Sequence, residues 1–352
     1  MAIYFLLLLI FLFFALLDIN NKISNRNRKS SILILSIPFI LFAGLRWQCG
    51  FDWDMYYSYF VHDTNLSLKD IFNHEQFEPL FVILYIIFPL FTLFLLAYNI
   101  INYIIITKVI HHLSPYPIFS LFIYFSLFYC LCLMGQMRQG LAISVVLLSI
   151  YYFPNKKKMF ILCGIATMCH ISAIASFLYL LIPTRLFKLK WIILLLICFI
   201  AIGFNIQFIL PTIIQYLPQM AIAKLNFYAF TYEESESVGI MFLSFKILLF
   251  MCFYYSLQKN SNNNFYCYIC NVYLIALILY IILSSLSATI SGRIDYYFMI
   301  LEIFIVPYII SKSKGIIRLS YTYMFVLIYI YQYINIITGY KHAFIPYKFI
   351  LS

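Results

Sequence analysis

The sequence predicts an all-α polytopic integral membrane protein, a bundle of about ten to twelve transmembrane helices. Three observations carry this. The chain of 352 residues is 65% hydrophobic and only 10% charged, with a mean hydropathy of +0.96. A soluble domain carries roughly a quarter charged residues, so the polar surface here is too small to coat a water-facing globule. The apolar residues fall in runs of spanning length, about 20 residues each. The basic residues sit in short clusters between those runs rather than along one stripe. The net charge of +11 therefore reads as the positive-inside arrangement and not as a nucleic-acid footprint.

The first run, 3–19, lacks a charged n-region and a small-residue cleavage site, and reads as a first span rather than a cleaved signal peptide. Further candidate spans are 31–45, 80–107, 118–134, 139–153, 159–182, 191–208, 238–257, 265–286, 294–310 and 317–337. No internal repeat is evident, so 1–352 is expected to form one transmembrane domain. Lys22, Arg26, Arg28 and Lys29 make the strongest basic loop, followed by Lys156–Lys158 and by Lys312, Lys314 and Arg318. All three are expected at the cytoplasmic face. The N-terminus and the segments 46–79 and 205–237 then lie outside, with small amphipathic helices expected in the two segments. These hold Asp52, Asp54, Asp63, Asp70, Glu75, Glu78, Glu233, Glu234 and Glu236, nine of the twelve acids, so the outer face is acidic.

One run conflicts with this assignment. Lys156–Lys158 and the cluster Arg185, Lys188 and Lys190 both belong inside, yet only the 24 residues 159–182 separate them. Either one basic loop lies outside, or the segment dips in and returns with a break near His170. Re-entrant backbone is tolerated where protein or a water-filled cavity covers it.

Ionisable residues at membrane depth are costly and each needs a reason. Arg46 ends the second span, Arg138 lies between two spans, and Arg293 just precedes a late one. All three are expected on the outer face, against the positive-inside tendency. Snorkelling or pairing with outer acids accounts for any one of them. A shared anionic ligand accounts better for all three, because the guanidinium fork matches phosphate oxygens. His170 reads equally as a packing residue or as a proton acceptor. Trp47 and Trp53 read first as belt residues and second as a sugar platform. Nine cysteines lie almost wholly inside apolar runs, where cysteine acts as a small hydrophobe. Cys267 and Cys270 form a CxxC without a second ligand pair, so no metal site is expected.

Taken in order, these residues carry a resemblance. Arg46, Gly50, Asp52, Tyr56 and Phe60 follow an early span at fixed spacing, and Glu78-Pro79-Leu80-Phe81 opens the next. Arg138-Gln139 starts a span, His170, Ser172 and Ala173 come one segment later, Arg293 with Tyr296 and Tyr297 precedes a late span, and Pro346-Tyr347 closes the chain. The set resembles the EpsG family, which includes Wzy-type polymerases of O-antigen and exopolysaccharide. Trp53 departs from the tyrosine common in the family but keeps an aromatic. The resemblance implies a GT-C-like glycosyltransferase bundle in the bacterial inner membrane, with its active site facing the periplasm. It implies transfer of a growing glycan from undecaprenyl diphosphate to the non-reducing sugar of a fresh lipid-linked repeat unit. A separate chain-length regulator is implied as a partner, and no nucleotide sugar.

The sequence shows no Gly-rich phosphate loop and no dinucleotide fingerprint, and a transfer without metal or cofactor is expected. Arg46, Arg138 and Arg293 are the candidates for holding the diphosphate. Asp52, Glu78 and His170 are the candidates for the base, Asp52 ranked first for its dense motif and its nearness to Arg46. Asp52 reads equally as a mere partner of Arg46, and Asp295 as a partner of Arg293. Tyr56, Gln139, Tyr296 and Tyr297 are candidates for further substrate contact. A flippase of the same lipid-linked sugar, or a ligase that moves finished glycan onto a lipid core, remains the alternative. A flippase needs polar groups along the depth of its pathway, whereas these arginines gather at one side.

Overall fold

A computed structural model describes residues 1–62, 71–72, 77–205, 240–259, 263–284 and 288–350. The expected outer segment 205–237 lies outside these residues except for Asn205, and so do Asp63, Asp70, Glu75, Glu233, Glu234 and Glu236. The chain forms two compact units, one of Met1–Phe177 with Glu302–Ser352 and one of Leu178–Leu301.

In the first unit, α1 (Ala2–Ile19) and α2 (Asn25–Gly44) follow the first two apolar runs. Helix α2 begins six residues before its apolar run because Ser24 caps it, its hydroxyl accepting from the Asn27 N–H at 3.3 Å. The long third run is two helices, α4 (Pro79–Ile87) and α5 (Phe91–Leu113). Pro89, between them, has no N–H to continue a helix. Next comes α6 (Pro117–Tyr124), which continues to Gly135 in π-helical winding, with the Gln136 N–H reaching back five residues to the Leu131 carbonyl at 2.8 Å. Then come α7 (Met137–Tyr151) and α8 (Lys156–Cys169).

The span Pro117–Gly135 is 94% buried where α1 is 39% buried, so the former is the axis of the unit and the latter its rim. Phe125 stacks on Phe11 at 4.3 Å and on Tyr333 at 5.4 Å. Buried tyrosine hydroxyls each need an acceptor in an apolar medium. Tyr129 donates to the Phe39 carbonyl at 2.6 Å, and Tyr98 to the Met137 carbonyl at 2.8 Å. After Glu302 the chain returns to this unit as α13 (Glu302–Lys312) and α14 (Gly315–Gly339).

The run 159–182 doubles back. His170 is extended between α8 and a 3₁₀ helix, Ile171–Leu181. Phe160 meets Phe177 at 5.3 Å, and the Cys163 thiol donates to the Ser176 carbonyl at 3.6 Å. These pairs nest around the break just before His170, the mark of a hairpin. With 14 residues, α8 is about 21 Å long, too short to cross a core of roughly 30 Å. The chain therefore has the break near His170 that the dip-and-return alternative requires.

Inside the expected outer segment 46–79, α3 (Trp53–His62) is present. Ahead of it, β1 (Arg46–Trp47) pairs antiparallel with β2 (Lys348–Phe349), Arg46 opposite Phe349 and Trp47 opposite Lys348. Short helix α15 (Lys341–Phe344) leads into β2, and Tyr347 stacks on Phe42 at 4.2 Å. The closing Pro346-Tyr347 motif thus fastens the C-terminus to the Arg46 loop.

The second unit packs α9 (Leu189–Phe204), α10 (Ile240–Gln258) and α12 (Ala288–Met299) around α11 (Asn264–Ser284). Asn271 on α11 fastens the chain ahead of α9, its Nδ2 donating to the carbonyls of Pro183 at 2.9 Å and Arg185 at 2.7 Å. Among the described residues, four helices are long and apolar enough to cross a membrane by length and composition: α1, α5, Pro117–Gly135 and α11. The shorter apolar helices pack with them, and the architecture is that of an all-α polytopic membrane protein.

Candidate functional site

Arg138 is the second residue of α7, directly after the π-helical stretch ends. Its Nη1 donates to Glu78 Oε2 at 2.9 Å. The guanidinium also donates to the Tyr56 hydroxyl, and it lies 5.1 Å from the centre of the Phe77 ring. Tyr56 comes from α3, and Glu78 stands just before α4 with extended backbone. Three stretches far apart in sequence therefore meet on one arginine. The Arg138 and Glu78 side chains are 22% and 18% exposed, so a ligand can reach them.

Glu78 has a second task. Its Oε1 accepts from the Ile171 N–H at 3.3 Å, at the tip of the hairpin. Beside it His170 Nδ1 and Ser172 Oγ share a hydrogen bond of 2.6 Å. Asp52 is half-buried, and its carbonyl accepts from the Tyr56 N–H at 3.0 Å. The Tyr56 hydroxyl is pushed up to about 12, mainly by burial, with the Asp52 charge acting in the same direction and Arg138 opposing. Tyr56 is thus protonated at any physiological pH and offers a hydrogen bond rather than a base. Gln139, next to Arg138, is buried at the start of α7.

Arg46 stands in a different situation. It is 1% exposed, and its donors go to the protein itself. Nε donates to the Cys49 carbonyl at 2.9 Å, Nη1 to the Ala43 carbonyl, and Nη2 to the Met134 carbonyl at 3.1 Å and to Met137 Sδ at 3.2 Å. Burial pulls its pKa below the ordinary arginine value. Arg46 therefore ties its own loop to the turn that presents Arg138. Gly50 completes that tie. It sits at φ +118°, and an added Cβ would collide with the Met134 carbonyl. Trp47 and Trp53 pack edge-on against each other at 4.9 Å, and Trp53 stacks on Tyr57 at 4.8 Å.

Arg293, Tyr296 and Tyr297 lie on α12 in the second unit. Arg293 is half-buried, and the carbonyl of the buried Tyr297 accepts from the Tyr179 hydroxyl at 2.5 Å. Asp295 does not pair with Arg293, since residues two apart on a helix do not face each other. It pairs instead with Lys246 of α10, both being buried. The Lys246 ammonium also lies 4.9 Å from the Phe242 ring centre and 4.8 Å from that of Tyr280. Lys246 is absent from the sequence-based candidates, although a lysine inside the apolar run 238–257 was itself the signal.

No curated protein and no solved structure matches the chain. A sequence profile described as the EpsG family matches residues 29–349, a stretch that runs from within α2 to β2 and takes in every candidate site residue. The chain belongs to the EpsG family, whose members are Wzy-type polymerase-like proteins, and a polysaccharide-polymerase-like function goes with that membership.

Proposed function

We propose that this chain is a glycosyltransferase that joins undecaprenyl-diphosphate-linked oligosaccharide repeat units at the periplasmic face of a bacterial inner membrane, in O-antigen or exopolysaccharide synthesis. The observation that carries the reading is the accessible Arg138, held by Glu78 and Tyr56 where α3, α4, α7 and the His170 hairpin meet. Helix α7 runs from Met137 to Tyr151, so Arg138 lies about 20 Å along the bundle from its Tyr151 end. With Lys156–Lys158 at the cytoplasmic surface, that depth puts Arg138 below the outer edge of a core of roughly 30 Å. A cation in such a low-dielectric site stabilises developing charge far better than one in water.

The reaction needs few groups. The acceptor hydroxyl attacks the anomeric carbon of the growing glycan, the bond from that carbon to the diphosphate oxygen breaks, and the lipid diphosphate departs with the electron pair. Arg138 holds the departing diphosphate, and Glu78 fixes the guanidinium by an ion pair. Asp52 takes the proton of the acceptor hydroxyl, because Glu78 is committed to Arg138 and to Ile171, while His170 with Ser172 shapes the hairpin tip against Glu78. Arg46 positions the Arg138 turn without touching substrate. Arg293, Tyr296 and Tyr297 are further candidates for contact with diphosphate or glycan, and Gln139 supports Arg138 from within the helix.

The test is the polysaccharide ladder of cells carrying Arg138→Ala or Arg293→Ala at matched membrane abundance. A product with one repeat unit on its lipid core and no longer chains is the expected result for Arg138→Ala. Unchanged ladders in both variants overturn the diphosphate site. Loss of every unit, the first included, assigns the chain to flipping or ligation instead.

A further inference from the structure

A second cationic site lies at the opposite end of the first unit. Helices α2 and α5 run antiparallel: Phe39 meets Tyr103 at 4.9 Å, the Tyr103 hydroxyl donates to the Ile32 carbonyl, and Gly44 packs against Leu96. The 20 residues of α2 separate its ends by about 30 Å, the thickness of a hydrocarbon core. Arg46 and the Arg138 turn mark one end. At the other, a cavity of about 550 Å³ is lined by Asn25, Arg26, Arg28 and Lys29 of α2, by His111 of α5 and by Ser114.

The charge in this cavity is unbalanced. Arg28 is neutralised, its Nε donating to Asp18 Oδ1 at 2.7 Å and its Nη1 to Asn25 Oδ1 at 2.9 Å. Asp18 is wholly buried and spends its other oxygen on the Ile118 N–H at 2.9 Å. It has nothing left for Arg26 and Lys29, and no carboxylate lines the cavity. Both cations are exposed in the first turn of α2, where the helix dipole already contributes about half a positive charge. A basic flank that only obeyed the positive-inside tendency would be splayed into water. Here it lines a concavity within the usual range for small-ligand sites, roughly 300–1,000 Å³, one helix length from the Arg46 end.

We propose that this cavity is a binding site for a phosphate group, Arg26 and Lys29 supplying the charge, with an anionic phospholipid headgroup of the near leaflet as the occupant its position favours. Arg28 is the positioning residue, held by Asp18 so that the first turn of α2 faces the cavity. The inference stands apart from the reaction proposed at Arg138, and its test does not read polymer.

The full-length protein in phosphatidylcholine nanodiscs is titrated with phosphatidylglycerol, and separately with inorganic diphosphate, while its thermal midpoint and retained lipid are followed. Phosphatidylglycerol is expected to be retained at least about tenfold over phosphatidylcholine and to raise the midpoint. Arg26→Gln with Lys29→Gln should remove that preference about tenfold while leaving the midpoint in phosphatidylcholine unchanged. Lys156→Gln with Lys157→Gln, which removes the same charge outside the cavity, should keep it. A response to diphosphate without one to phosphatidylglycerol keeps the phosphate site and makes its source soluble. Equal retention of both lipids with no response to diphosphate overturns the proposal, as does equal loss of preference in the two double variants.

Discussion

Arg46 and Arg138 come from similar sequence settings, each at a span end near a glycine, and the fold uses them in opposite ways. Arg46 is sealed, and four of its N–H groups serve the carbonyls of Ala43, Cys49 and Met134 and the sulfur of Met137. Arg138, four residues after Met134, is accessible and faces a carboxylate and a phenol. What separates them is the kind of acceptor. Backbone carbonyls cannot move away, so an arginine satisfied by them is a fastening. Side-chain acceptors can rearrange around an arriving anion, so an arginine satisfied by them can change partners. A membrane-depth arginine is therefore not evidence of a ligand until its acceptors are known.

The largest expected effect tests the fastening. Arg46→Ala leaves three buried carbonyls without a donor, at about 1–3 kcal/mol for each group left unsatisfied. The purified protein should lose about 3 kcal/mol or more of stability and much of its membrane abundance, read by thermal unfolding in detergent and by immunoblot. Arg46→Lys should not restore it, because a single ammonium cannot reach carbonyls on both sides of the loop. Normal abundance with a missing polymer would instead make Arg46 a substrate group and dissolve the contrast.

Arg138→Ala should do the reverse. Abundance and thermal midpoint stay near wild type, since the side chain is already part-exposed, while polymer formation falls about 10²–10³-fold, the usual loss for a transition-state charge stabiliser. In vitro turnover of a lipid-linked repeat unit checks this at equal protein. Arg138→Lys should recover part of the rate. Destabilisation comparable to that of Arg46→Ala would show that both arginines are fastenings.

Much of this was legible in the sequence, and the limits are physical. Apolar run length and basic clusters gave the membrane class. The crowding of Lys156–Lys158 against Arg185, Lys188 and Lys190 left two alternatives for 159–182, one of them the hairpin with its break at His170 that the structure adopts. The order of Arg46, Glu78, Arg138 and His170 along the chain matched the family. Sequence could not say which arginine was sealed, because that depends on the Met134 carbonyl, 88 residues away, being turned outward where π-helical winding ends. Nor did spacing reveal the two-stranded ribbon by which Lys348–Phe349 closes over Arg46–Trp47. Asp295 looked like the neighbour of Arg293, but helical geometry turned it toward Lys246.

A milder change reaches the fastening from the other side. Gly50→Ala asks a left-handed position to carry a Cβ and drives it into the Met134 carbonyl, which should cost about 1–3 kcal/mol. Its phenotype should follow Arg46→Ala in kind, with lowered abundance and proportionately lowered polymer, at smaller size. A variant of normal stability but short polymer would mean that the loop moves during the reaction rather than standing fixed.

The smallest effect belongs to Tyr56→Phe, and it separates holding from chemistry within the accessible cluster. The hydroxyl accepts from Arg138, so its loss removes one acceptor and no charge, worth about 1 kcal/mol. Polymerisation should slow by a few-fold. Burial keeps the Tyr56 hydroxyl protonated up to about 12, so it cannot shed its proton over the working range. Rates measured from about pH 6 to pH 9 should therefore give a profile of the same shape in the variant and in wild type. Asp52→Asn is the companion, expected to abolish polymer formation across that whole pH range if Asp52 takes the acceptor proton. Were the rise of rate with pH to vanish in Tyr56→Phe, the phenol would be the base, and Arg138 would be there to lower its pKa rather than to hold a diphosphate.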